Sequence, residues 1–133
     1  MITEKQLHKQ ICTYIKAQYP NVLFNTDMSG IKLTMGQAIQ AKKLRSGNGF
    51  PDIVIYETSF YFDGYQDVLV FGLFLEVKKE TPYLKGSTCI LKKSEHLKEQ
   101  KEMHHKLESR GYTVEFVWTF DMAKDIIDNY LGK

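Results

Sequence analysis

The chain has 133 residues, of which 43% are hydrophobic and 26% charged, as is typical of one soluble globular domain. This composition argues against collagen-like, fibrous and generally disordered proteins. The longest apolar run, from Val68 to Leu75, is far shorter than the 20 or so residues of a membrane-spanning helix. We therefore predict a single domain over residues 1–133, without membrane association. No apolar signal sequence follows Met1, which predicts a cytoplasmic protein.

The net charge of +2 conceals an uneven distribution of charge along the sequence. Residues 31–50 contain four bases and no acid, whereas residues 51–76 contain five acids and no base. Residues 78–101 contain seven lysines and three glutamates. Such clustering is common on solvated surfaces. It also fits a polyanion-binding surface around a cation-binding centre.

The first part of the chain is predicted to begin with a helix. Apolar periodicity places this helix over residues 4–18, with Thr3 as its N-cap and Gln6 closing a capping box. Pro20 ends the segment. The next predicted elements are a strand at 21–25, a turn at Ser29-Gly30, a short helix at 35–44 and a glycine-rich loop at 46–49.

The second part of the chain is predicted to form strands and two helices. Ile53-Val54-Ile55 indicates a strand over residues 52–56, and residues 57–67 are predicted as a polar and aromatic connection. The run 68–78 supplies one strand, or two with a bend at Gly72, and its apolar character predicts burial on both faces. The later predicted elements are a connection at 79–93, a helix at 95–109 between Ser94 and Gly111, a strand at 113–120 and a final helix capped by Asp121. This order indicates an α/β or α+β fold with a mixed sheet.

Acidic residues flank the two strands that are the strongest candidates for a buried sheet. Asp52 follows Pro51 at the start of one strand, and Glu76-Val77-Lys78 ends the other. Because side chains alternate along a strand, Glu76 and Lys78 share a face. If the strands are neighbours, Asp52 and Glu76 converge on one hard cation, with the Val77 carbonyl as a further oxygen ligand. With Lys78 orienting or deprotonating a water, this set predicts metal-assisted phosphodiester hydrolysis. Each fragment alone also fits an ordinary strand-edge acid or a same-face ion pair.

Helix positions give further candidates for the same site. Gln100 lies within the apolar stripe of the predicted helix 95–109, so it is either a core glutamine with satisfied hydrogen bonds or a group that reaches the metal site. Glu4 lies in the first helical turn, where it either favours the helix dipole or leans toward the cation. His104 and His105 are predicted as surface or packing residues, because adjacent histidines on a helix do not face each other.

Taken in order, these motifs resemble the virus-type replication-repair nuclease family, VRR-NUC, a branch of the PD-(D/E)xK nuclease superfamily. The resemblance rests on the basic stretch 41–45, Gly-Phe-Pro-Asp at 49–52, Gly-Leu-Phe-Leu-Glu-Val-Lys-Lys at 72–79, Gln100, and Gly111-Tyr112 before a strand. It extends over nearly the whole chain. It implies a restriction-endonuclease-like αβββαβ core with flanking helices and Mg²⁺- or Mn²⁺-dependent cleavage of DNA.

The resemblance also implies a role for each matching residue. Asp52 and Glu76 would hold the metal with the Val77 carbonyl, Lys78 would be the catalytic lysine, and Gln100 the family's helix glutamine. Glu4 would match the acid of the first helix. Stand-alone domains of this size resemble phage or bacterial forms, which implies a homodimer that cuts branched DNA such as Holliday junctions and uses no small-molecule cofactor. The long segment between Lys78 and Gln100 departs from the family pattern, and we interpret it as a DNA-contacting or dimer loop.

Basic side chains on both sides of the acidic segment are predicted to bind DNA phosphates. The first choices are Lys42, Lys43 and Arg45, and the second choices are Lys85, Lys92 and Lys93. Two alternatives remain open at the level of sequence. One is a nuclease of the same superfamily that acts on linear duplex, flaps or DNA ends, and the other is a non-catalytic nucleic-acid-binding domain that keeps the fold.

Overall fold

The computed structural model describes residues 2–27 and 32–132, which form four helices and six strands. Their bounds are α1 Glu4–Gln18, β1 Phe24–Thr26, α2 Met35–Lys43, β2 Ile53–Ile55, β3 Ser59–Phe62, β4 Asp67–Val70, β5 Leu73–Val77, α3 Glu95–Glu108, β6 Thr113–Val117 and α4 Phe120–Tyr130. None of these helices is long and apolar enough to cross a bilayer. The turn predicted at Ser29-Gly30 lies outside the described residues.

The main sheet has the strand order β1-β2-β5-β6. Its first two pairings, β1 with β2 and β2 with β5, are antiparallel, whereas β5 and β6 run parallel. Strand β5 therefore lies inside the sheet with a partner on each side, which explains its continuous apolar sequence. This mixed sheet with helices packed on it confirms the predicted fold class.

Alternation along β5 divides the core between the two faces of the sheet. Leu73, Leu75 and Val77 pack with buried residues of α1 and α4 in the larger apolar cluster. The intervening Phe74 contributes to a second cluster that includes Met103 and other residues of α3. Since Phe74 and Glu76 are two residues apart on the same strand, Glu76 faces α3.

Two of the three predicted N-terminal helix caps are confirmed. Thr3 and Gln6 form the predicted capping box of α1, and the Ser94 hydroxyl accepts a hydrogen bond from the backbone N–H of Leu97 at the start of α3. The prediction that Asp121 caps the last helix is wrong. Thr119 is the cap, because its backbone is still extended and its hydroxyl accepts a hydrogen bond from the Met122 N–H. Asp121 lies inside the first turn of α4.

The segment predicted as a connection over residues 57–67 instead forms half of a hairpin, in which β3 and β4 pair as a separate two-stranded sheet. The run 68–78 therefore divides into β4 and β5, with the bend at Phe71 and Gly72. A Cβ on Gly72 would lie 3.0 Å from the carbonyl oxygen of Ile55. Glycine therefore allows the two backbones to approach closely at this bend. Burial on both faces is confirmed for β5 and is wrong for β4, where Leu69 is 40% exposed.

Candidate active site

The pairing of β2 with β5 brings the two predicted metal-binding carboxylates together. The antiparallel register matches Ile53 with Leu75, so Asp52 lies beside Glu76. The Asp52 N–H donates to the Leu75 carbonyl at 3.0 Å, and Asp52 Oδ2 accepts a hydrogen bond from the Val77 N–H at 2.7 Å. The Asp52 side chain is thus fixed on the end of β5, in direct interaction with the Glu76 carboxyl group.

A cleft of about 370 Å³ opens over this pair. The predicted site residues that line it are Glu4, Lys42, Arg45, Asp52, Glu76, Val77, Lys78 and Gln100. Lys43, Lys85, Lys92 and Lys93 do not line it. Acidic and basic groups therefore meet in one concavity, where buried or half-buried carboxylates lie with exposed cations of α2 and the following loop.

Burial makes both carboxyl groups of this pair weaker acids than usual. Removal from water raises the pKa of Asp52 to about 9, and the neighbouring charge of Glu76 acts in the same direction. Burial also raises the pKa of Glu76 to about 7, while interactions with Asp52 and Lys78 act to lower it. The cleft thus disfavours two bare negative charges side by side, and this pair favours either a shared proton or a bound cation.

Glu76 also contacts His104 on α3, a residue that does not line the cleft. Its Nε2 lies 3.2 Å from Glu76 Oε1, and the residues are 2% and 1% exposed. Burial lowers the pKa of His104 to about 4, so the ring is neutral. An ionised carboxylate only accepts hydrogen bonds, so the tautomer with its hydrogen on Nε2 suits this contact. The prediction of His104 as a surface or packing residue therefore missed its polar contact, although its place on the buried stripe was visible in the sequence. His105 is exposed, as predicted.

Gln100 is buried at the same face of α3, 5% exposed, as its position in the helical stripe predicts. Its Nε2 lies 3.2 Å from Nε2 of His96, a cleft residue one turn earlier that sequence reasoning did not single out. Its Oε1 is buried and finds no hydrogen-bond partner among the described residues. An orphaned buried oxygen at the edge of a polar cleft indicates that a donor or cation completes its environment.

Two further acids lie close to the carboxylate pair. Asp27 continues the β1–β2 register, its N–H donates to the Asp52 carbonyl at 2.8 Å, and its side chain lines the cleft. It was missed because only the strand register places it beside Asp52. Glu4 Oε1 accepts a hydrogen bond from the Lys79 N–H at 3.1 Å, which ties the start of α1 to the end of β5 at the rim of the cleft.

The oxygen donors of the cleft suit a divalent cation that keeps part of its water shell. Across residues 2–27 and 32–132, no three His, Cys, Asp or Glu side chains form a group that could hold an ion by themselves. The donors that converge are the carboxylates of Asp52 and Glu76, with the orphaned Gln100 oxygen in the same cleft. This set fits Mg²⁺ or Mn²⁺, which take one or two carboxylates and retain several waters.

The loop before Asp52 packs on α3 through Gly49. This residue has φ +85°, and a Cβ there would lie 2.7 Å from the carbonyl oxygen of Glu99. Only glycine satisfies both the positive φ and the close backbone approach. Gly49 thereby fixes the spacing between the strand that carries Asp52 and the helix that carries Gln100.

Comparisons with known proteins support the architecture. Neither the scan of family models nor the search of curated proteins finds a match. A solved structure described as a VRR_NUC domain protein superposes with a TM-score of 0.60, covering 99% of this chain and 90% of that one at 18% sequence identity. The two proteins share one fold. The resemblance read from the motifs is confirmed at the level of the fold.

Proposed function

We propose that this protein is a Mg²⁺- or Mn²⁺-dependent DNA endonuclease that hydrolyses phosphodiester bonds, selectively in branched DNA such as Holliday junctions. The observation that carries the proposal is the pairing of half-buried Asp52 with buried Glu76, in a cleft shared with Lys78, Lys42 and Arg45. Carboxylates alone would repel a phosphate backbone. The same carboxylates with a bound cation, beside three basic side chains, form a site that attracts it.

Each side chain has a role that its position supports. Asp52 and Glu76 would hold the ion, with the Val77 carbonyl as a further ligand. Once held there, a divalent ion supplies Lewis-acid polarisation of the phosphate and lowers the pKa of a coordinated water. Lys78, which follows β5 and lines the same cleft as Glu76, stabilises charge on the scissile phosphate or donates a hydrogen bond that orients the attacking water. The Gln100 Oε1 accepts a hydrogen bond from that water or from Lys78.

A second basic surface supports selectivity for branched DNA. Lys92 and Lys93 line a separate shallow cavity of about 550 Å³ together with Lys98 and Lys101 of α3, where four lysines outnumber two glutamates, Glu95 and Glu102. At about 100° per residue, Lys98 lies about 160° and Lys101 about 100° around α3 from the cleft residue Gln100. Two phosphate-binding surfaces separated by a helix suit a substrate with two DNA segments better than one straight duplex.

The β3–β4 hairpin supports a homodimer. Phe60 pairs with Leu69 across the hairpin, and side chains alternate along β3, so Phe60, Phe62 and Leu69 lie on one face. Phe71 follows just after the end of β4. The three phenylalanines are 65%, 66% and 51% exposed, which leaves about 350 Å² of aromatic surface in water. A stable interface buries about 800 Å² per partner, so this patch is large enough to form the apolar centre of one. The hairpin carries acids and no base, which disfavours DNA as its partner.

Dimerisation can be tested by sedimentation equilibrium of the purified protein. We expect a dimer for the wild type and a monomer for the double variant Phe60→Ser, Phe62→Ser. Tyr65→Ser, which changes an aromatic residue 94% exposed in the hairpin turn, serves as the control and should remain dimeric. A monomeric wild type at concentrations well above those used for cleavage would contradict the proposed dimer.

Cleavage is tested with four-way junction, flap and linear duplex DNA in Mg²⁺, Mn²⁺ or EDTA. We expect junction cleavage in either metal, none in EDTA, and a loss of at least about 100-fold in Asp52→Asn and Lys78→Ala. Asp125→Asn, an exposed acid on α4, is the matched control and should cut like the wild type. Wild-type rates in Asp52→Asn would refute the site, and preferential cutting of linear duplex would refute the junction preference.

Metal binding separates the nuclease from a non-catalytic DNA-binding domain of the same fold. Calorimetric titration of the metal-free protein with Mn²⁺ should show binding that Asp52→Asn removes. A binding domain without catalysis would show no carboxylate-dependent uptake of Mn²⁺ while still retaining salt-sensitive DNA binding.

A further inference from the structure

We propose that His104 is a positioning residue for the metal site: its hydrogen bond to Glu76 Oε1 fixes the orientation of that carboxylate and leaves the second oxygen for the cation. The inference rests on the proposed function, because it concerns the same metal site. His104 was not among the residues that the sequence motifs assign to the site. Unlike His96 and Gln100, it does not line the cleft, although it contacts Glu76.

The geometry gives His104 little freedom. Its side chain is 2% exposed, and its ring lies against Phe116 with 4.7 Å between the ring centroids. From this fixed position, Nε2 lies 3.2 Å from Glu76 Oε1. An ionised carboxylate only accepts hydrogen bonds, so Nε2 carries the hydrogen of this contact. Packing on the sheet therefore fixes the position of this donor, which solvent does not reach.

Orientation of Glu76 matters because the last torsion of a glutamate side chain is broad and roughly two-fold. Mg²⁺ requires near-ideal octahedral geometry with oxygen ligands at about 2.1 Å, so a rotating carboxylate is a poor ligand. A hydrogen bond to one oxygen restricts the torsion and defines which oxygen faces Asp52. Partners of this kind typically contribute 10- to 100-fold to metal affinity.

Substitutions at position 104 separate donation from packing. His104→Phe keeps an aromatic ring of similar size and removes the donor. His104→Gln keeps a donor near the position of the imidazole Nε2, whereas the shorter His104→Asn does not reach it. His105→Phe changes the adjacent histidine, whose side chain is 68% exposed and contacts Glu108, and serves as the control.

Mn²⁺ binding to the metal-free protein is the direct readout, with urea unfolding measured in parallel. We expect His104→Phe to weaken Mn²⁺ binding by 10- to 100-fold, His104→Gln to stay within about threefold of wild type, and His105→Phe to leave it unchanged. The Mg²⁺ concentration for half-maximal cleavage should rise by the same factor in His104→Phe. A purely structural role would instead lower the urea midpoint and leave Mn²⁺ affinity intact.

The outcomes distinguish this inference from the proposed function. If Asp52→Asn abolishes Mn²⁺ binding and His104→Phe binds like the wild type, the positioning role is refuted and the nuclease proposal stands. If the wild type binds no Mn²⁺, or Asp52→Asn leaves binding unchanged, both are overturned. Should His104→Phe fail to fold, equal Mn²⁺ affinities of His104→Gln and His104→Asn would refute the role.

Discussion

Neutralising one carboxylate of the candidate site should stabilise the metal-free protein. In Asp52→Asn, the amide oxygen can still accept the hydrogen bond from the Val77 N–H that Asp52 Oδ2 accepts at 2.7 Å. The charge that the cleft disfavours beside Glu76 is removed. We therefore expect this variant to lose metal binding and cleavage, while its metal-free fold becomes increasingly more stable than wild type as pH rises from about 5.

The size of the effect follows from proton binding. Burial and the charge of Glu76 raise the pKa of Asp52 to about 9 in the folded protein, against about 3.9 in an unfolded chain. Between these values the folded state binds more protons than the unfolded state, so the free energy of unfolding falls as pH rises. The slope is at most about 1.4 kcal/mol per pH unit for one proton. Asparagine does not titrate, so the variant lacks this loss.

The effect can be measured by urea unfolding in EDTA between about pH 5 and about pH 8. Taking the difference in free energy of unfolding between variant and wild type cancels the contributions of other titrating groups. The advantage of Asp52→Asn over wild type should grow with pH, whereas Asp125→Asn should run parallel to wild type. Millimolar Mn²⁺ should stabilise wild type and leave Asp52→Asn unchanged. A constant difference between Asp52→Asn and wild type over this range would refute the raised pKa of Asp52.

Two further predictions concern the framework of the site. Gly49→Ala should lower the free energy of unfolding by about 2 kcal/mol or more in a urea titration. The reason is that Gly49 has φ +85° and that an added Cβ would lie 2.7 Å from the Glu99 carbonyl oxygen. An unchanged urea midpoint would contradict this packing. Asp128→Ala should cost about 2 kcal/mol at neutral pH, since Asp128 Oδ1 accepts hydrogen bonds at 2.6 Å from the hydroxyls of both Tyr14 and Tyr19. These bonds lower the pKa of Asp128, so the stabilisation should disappear as pH falls through the acidic range, and a pH-independent cost would contradict it.

Local sequence signals determined most of the secondary structure. The capping box of Thr3 and Gln6 and the apolar stripe that follows fixed α1 at the predicted bounds. Ser94 and Gly111 likewise bracket α3, where the predicted helix 95–109 ends one residue earlier in the structure. Such caps act between residues three or four apart, so they can be read without knowing the tertiary structure. The hairpin was missed because its exposed aromatic residues lack the alternation of a half-buried strand.

By itself, the sequence determined the main fold class, the two strands that carry Asp52 and Glu76, and the inward face of α3 that carries Gln100. Only the tertiary structure decided which groups surround them. Asp27 reaches the cleft through the β1–β2 register, and His104 meets Glu76 because α3 packs across β5. Those contacts join residues far apart in the chain, and they depend on strand pairing and helix packing, which no local pattern specifies.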